Sequence, residues 1–164
     1  MKTLFKSLMV LLITLAMGVH AADKVTVMIN GKTISAYRTA DLENAKKDAK
    51  AANKPIAWIA SDTKYLEGNG IIAEESSRGA TFHAFFSLRD KAILVFEDAF
   101  LENHQVVAFI DVALHTPNPH YTVPTVLFLD PDATEVIGTV TYEPEFVKRA
   151  QKLTKALADI KGKY

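Results

Sequence analysis

Hydrophobic and polar positions alternate between residues 25 and 37. Val25-Thr-Val-Met-Ile29 runs at a period of two, Asn30-Gly31 interrupts it, and Thr33 to Tyr37 resumes it. That period marks strands with one buried face, and Asn-Gly is a favoured two-residue hairpin turn, so a β-hairpin is expected. From Asp41 to Asn53 the period lengthens: Leu42, Ala45, Ala49 and Ala52 share one helical face, lysines stand opposite, and Asp41 is placed to cap the start. Asn53-Lys54-Pro55 stops this helix, because the residue before a proline resists the α region.

Pro55-Ile-Ala-Trp-Ile-Ala60 and Ala92-Ile-Leu-Val-Phe96 are short continuous apolar runs, the pattern of strands buried on both faces. Between them lie a polar loop from Ser61 to Gly70 and a partly helical stretch from Ile71 to Asp90, which Gly79 is expected to break. Phe82, Phe85 and Phe86 follow at helical spacing; such aromatics pack inward, and the competing reading is an exposed docking surface. Asn103 to His115 reads as a helix with Val106, Val107, Ile110, Ala113 and Leu114 inward, and His115-Thr-Pro-Asn-Pro-His120 as a loop, since its prolines cannot continue a helix. Thr125 to Leu129 and Glu135 to Thr141 read as strands joined by the turn Asp130-Pro131-Asp132-Ala133. Glu143-Pro144 opens a last helix whose stripe is Phe146, Ala150, Leu153, Leu157 and Ile160.

This order, with Lys54-Pro55 leading into an apolar strand and Tyr121-Thr-Val-Pro-Thr-Val-Leu-Phe-Leu-Asp130 leading into a hairpin, resembles the thioredoxin-like superfamily over residues 38 to 160. The resemblance implies an α/β domain: a central mixed sheet built as βαβ then ββα, helices on both faces, and the N-terminal β-hairpin. It also implies a cis peptide bond before Pro124, either as a purely structural device or as one that leaves the Val123 backbone free to pair with an incoming extended peptide. The departure is chemical. Where the family carries Cys-x-x-Cys, this chain reads Ser61-Asp-Thr-Lys-Tyr-Leu-Glu-Gly68, and its 164 residues contain no cysteine. Thiol–disulfide exchange is therefore excluded, and none of the family's catalytic residues carries over.

The N-terminus alters the picture further. Lys2 and Lys6 precede an apolar run from Leu8 to Val19, and Val19-His20-Ala21 supplies a cleavage site, so residues 1–21 read as a signal peptide and residues 22–164 as the domain. The run is shorter than the roughly 20 residues of a membrane span. A periplasmic or secreted protein is expected, with no membrane association after cleavage. The remaining 17 basic and 19 acidic side chains leave a formal charge of −2, which offers no footprint for nucleic acid.

Two functional readings follow. In the first, Asp62, Thr63, Lys64 and Tyr65, at the carboxyl end of a buried strand, join Tyr121, Val123 and Pro124 in a surface that binds an extended polypeptide or a partner protein, without a cofactor. In the second, Asp62 and Lys64 act as a proton-transfer pair in a non-thiol enzyme, with His115 and His120 as weak candidates for a metal. The histidine spacing matches no compact zinc pattern. Glu102 and His104, two apart on a helix, do not face each other and form no site.

Overall fold

The fold is seen in a computed structural model that describes residues 24–100, 110, 113, 122–161 and 163. Residues 1–21, read above as a signal peptide, most of the stretch 103–115 read as a helix, and Glu102, His104, His115, His120 and Tyr121 lie outside the described residues. Two strands, β1 (Lys24–Ile29) and β2 (Lys32–Arg38), make the expected hairpin around Asn30 and Gly31, both at positive φ. After α1 (Leu42–Ala52) come β3 (Ile56–Ser61), a two-residue strand β4 (Asn69–Gly70), α2 (Ser77–Leu88) and β5 (Ile93–Asp98). The chain closes with β6 (Thr125–Leu129), β7 (Val136–Val140) and α3 (Phe146–Ile160).

Among the described residues the seven strands form one mixed sheet in the order β4-β1-β2-β5-β3-β6-β7. β2, β5 and β3 run parallel, while β6 is antiparallel to β3 and to β7. The hairpin thus extends the sheet through β2. β3 lies near the middle with all six residues buried, as its unbroken apolar run requires. On one face Ala57, Ile59, Phe96 and Phe128 meet Phe82, Phe85 and Leu88 of α2 and Leu153 and Ile160 of α3. On the other, Trp58, Val95 and Leu127 meet Ala45 and Ala49 of α1 together with the helical residue Ile110. Helices therefore cover both faces, as the alternating order of elements predicts.

Two local expectations, the Asp41 cap and the break at Gly79, are corrected, and the inward packing of the phenylalanines is met. Asp41 makes no side-chain cap to α1; a single 3-10 turn, Thr39–Asp41, leads into the helix instead. Phe82 and Phe85 are fully buried and Phe86 packs partly against the same core, so these rings do not form an exposed docking surface. Gly79 does not break its segment but lies in the first turn of α2, where its amide donates to the Ser76 cap at 3.1 Å. Its need for glycine is steric: a Cβ there would stand 2.1 Å from the Glu74 carbonyl oxygen. Gly79→Ala gains about 1 kcal/mol of helix propensity. Against a backbone atom the overpacking, about 1–3 kcal/mol, outweighs that gain. Urea unfolding is expected to show a lower midpoint for Gly79→Ala; an unchanged or raised midpoint would mean the carbonyl yields.

Candidate functional site

The parallel strands β3 and β5 end side by side at Ser61 and Asp98, and β6 starts beside them, because Ala60 is paired with Thr125. The carboxyl ends of parallel strands are where open α/β sheets place ligands. The backbone leaves β3 through Asp62, which is nearly buried and caps a 3-10 turn, Thr63–Leu66, by accepting from the Lys64 amide at 2.9 Å. Its other carboxylate oxygen lies 2.6 Å from Lys64 Nζ. Lys64 itself is exposed, and its ammonium stands 5.3 Å from the Tyr65 ring centre and 5.8 Å from that of Phe100. The hydrogen bond and the charge of Asp62 raise the Lys64 pKa above its ordinary value. Asp62 and Lys64 are thus engaged with each other, which holds the loop in shape and keeps the amine protonated.

Asp98 is an addition to the residues singled out from the sequence. Its carboxylate accepts from the Thr63 amide at 3.3 Å and the Phe100 amide at 2.9 Å, tying the Asp62 loop to the end of β5. Burial alone would raise its pKa, but hydrogen bonds from the Thr63 side chain first, then from the Phe100 and Thr63 amides, outweigh burial and hold the carboxyl below the ordinary range. Beside it Phe100 is 63% exposed, a large apolar side chain in water at the rim of the loop. The only sequence signal was an acidic pair, Glu97-Asp98, closing an apolar strand.

The Val123–Pro124 peptide bond is cis. Thr122 is exposed, Val123 half-buried and Pro124 buried, and the Thr125 hydroxyl donates to the Thr122 carbonyl at 2.7 Å, closing the turn before β6. Pro124 faces a narrow cleft shared with Ala80 and Ala84 of α2 and with Tyr142, Glu143 and Arg149. The structure therefore brings Asp62, Thr63, Lys64, Tyr65, Val123 and Pro124 to one end of the sheet. Among the described residues no three His, Cys, Asp or Glu side chains are grouped to hold a metal ion.

A second polar cluster lies at the back of the cleft, and periodicity missed it. Arg149 of α3 is 3% exposed, in the middle of the stripe read as apolar. Its guanidinium donates to the carbonyls of Glu143 at 3.1 Å, Pro144 at 2.6 Å, Ile72 at 2.8 Å and Glu74 at 3.2 Å, and its Nε to His83 Nδ1 at 3.3 Å. All five N–H groups of the fork are used. His83 is buried and stacked on Phe146, with ring centres 4.7 Å apart. Burial, with a smaller contribution from the Arg149 charge, lowers its pKa to about 4, so it is neutral at pH 7. The cluster clamps the 72–74 segment to the start of α3 and shapes the wall behind Pro124. The Glu74 carbonyl that forbids a side chain at Gly79 is one of those Arg149 holds.

No protein-family model matches this chain, and no curated protein matches it.

Proposed function

We propose that this chain is an exported thioredoxin-like domain without thiol chemistry, and that it binds an extended segment of a partner polypeptide at the sheet end formed by the Asp62 loop and the Thr122–Pro124 turn. The observation that carries the reading is the strand arrangement: β2, β5 and β3 parallel, then β6 and β7 antiparallel, with helices on both faces, and the two segments adjacent at the carboxyl ends of β3 and β5. Main-chain pairing beside Val123 supplies affinity, and the rings of Tyr65 and Phe100 with the Lys64 ammonium supply selectivity for what lies alongside. In this role Asp62 and Asp98 are loop-positioning residues. In this reading Lys2 and Lys6 with the apolar run that follows act as an export signal, and the domain works in the periplasm or outside the cell.

The test is site-specific photo-crosslinking from position 65 in the exported mature protein, with exposed Lys47 on α1 as the control position. A discrete polypeptide adduct is expected at 65 and not at 47. It should vanish in Val123→Pro, which removes one main-chain donor at the turn, and persist in His115→Ala and His120→Ala. An adduct indifferent to Val123→Pro, or none above control, would sink the reading. Dependence on the two histidines would transfer the site to the enzyme reading.

A further inference from the structure

The sheet ends at β7, and the way its backbone is turned can be read from its neighbours. The Asp130 amide donates across to the Glu135 carbonyl, so Asp130, Phe128 and Val126 point their main-chain groups towards β7. Phe128 and Val126 are paired with Gly138 and Val140, which leaves Thr139, between them, pointing its N–H and C=O away from β6. Lys163 Nζ donates to the carbonyl of Ile137, the extra residue at the register shift where Phe128 pairs with Gly138 and Leu129 with Val136. Among the described residues the outer edge of β7 has no strand partner.

This edge is also roofed. α3 lies close against the strand, where a Cβ on Gly138 would come within 3.0 Å of Ile160. A groove of about 440 Å³ runs between them, with Ala156 and Ile160 on the helix side and Thr139 on the strand side. That volume falls in the range of ligand sites. Three lysines, Lys152, Lys155 and Lys163, line it against one acid, Asp159. Lys152 is paired with Glu143, whose carboxylate is largely covered, whereas Lys155 and its partner Asp159 are both exposed, a kind of pair that contributes little and is exchangeable for a better anion. A second copy of the chain would bring like charges together along this edge, which disfavours self-pairing.

We propose that the β7–α3 groove takes an extended acidic segment of a partner polypeptide, added to the sheet as an eighth strand. Thr139 supplies main-chain hydrogen bonds, and Lys163 leaves the Ile137 carbonyl to meet a carboxylate, as Lys155 does. The proposal uses none of the residues of the Pro124 face and stands apart from the reading given for it.

Fluorescence anisotropy on the mature chain tests it, with a fluorescein-labelled peptide Glu-Thr-Glu-Val-Glu-Thr-Glu and its lysine counterpart Lys-Thr-Lys-Val-Lys-Thr-Lys as probes. The acidic probe is expected to bind saturably and more weakly as salt rises, and the basic probe not to bind. The surface variant Lys155→Glu/Lys163→Glu should weaken the acidic probe by about tenfold or more. Thr139→Pro, which removes one outward donor at a position edge strands tolerate, should abolish binding. Absent binding of the acidic probe, or equal affinity for the charge-reversed variant, overturns the proposal. So does a dimer in sedimentation that Thr139→Pro dissociates, since the edge would then belong to a second copy.

Discussion

Arg149→Met is expected to lower the stability of the domain by about 3–5 kcal/mol, because several buried carbonyls lose their donors at once. Methionine matches the aliphatic stem and fills similar volume, so little of the effect comes from an empty cavity. It comes from the acceptors left behind: the carbonyls of Ile72, Glu74, Glu143 and Pro144 each lose a charged donor, in a place where Arg149 itself is nearly inaccessible to water. Arg149→Lys should recover only part of the loss. An ammonium has three donors at one point, whereas the planar guanidinium reaches two carbonyls on each side and the imidazole besides. Urea unfolding followed by circular dichroism gives the three stabilities. If Met and Lys variants both unfold within about 1 kcal/mol of the parent, the clamp contributes little and the 72–74 segment is held by packing alone.

Acid should weaken the same cluster through His83. Its Nδ1 accepts from Arg149 Nε, so the folded state holds the imidazole neutral, and a proton on Nδ1 would set two donors face to face. The folded pKa of about 4 lies below the value of 6.5 for an unperturbed histidine. Between those values the unfolded chain binds a proton that the folded chain refuses, so stability is complete above about pH 6.5 and declines as pH falls towards 4. The full difference is about 3 kcal/mol. Asp98 and Asp130, whose folded pKa values are depressed from 3.8, lose their contributions only below that pH, outside most of the His83 window. His83→Gln keeps an acceptor for Arg149 Nε and removes the titration. The parent-minus-variant stability difference should therefore slope between pH 6.5 and 4.5; a flat difference would show that His83 protonates in place without penalty.

Both predictions concern residues that periodicity did not flag, and the reason is physical. Arg149 sits one position before Ala150 in a stripe otherwise read correctly, and nothing local distinguishes a buried arginine from a solvated one. The carbonyls that neutralise its burial include Ile72 and Glu74, far away in the chain. His83 was one of five histidines in the chain. Its neutrality follows from α2 and α3 meeting around Phe146, a contact between elements that no window of sequence contains. Gly79 was misread for a related reason: propensity marks glycine as a breaker, whereas here it admits the Glu74 carbonyl at close range.

The candidate site was more legible than the clamp. Asp62, Lys64 and Tyr65 follow a strand recognisable by its apolar run, and Pro124 precedes another, so strand ends alone brought them forward. Their adjacency required the pairing of Ala60 with Thr125, and the engagement of Asp62 with both the amide and the ammonium of Lys64 required the turn itself.

By itself the sequence determined the elements and their faces, because hydrophobic period, Asn-Gly and proline positions act over a few residues. It also excluded thiol chemistry, because a missing atom type cannot be restored by folding. Only the tertiary structure decided which polar side chains are buried, which carbonyls Arg149 joins, and that β7 stands at the edge of the described sheet beside lysines. Those properties depend on desolvation and on distances between elements remote in the chain, and they come into being only when the sheet and its helices are assembled.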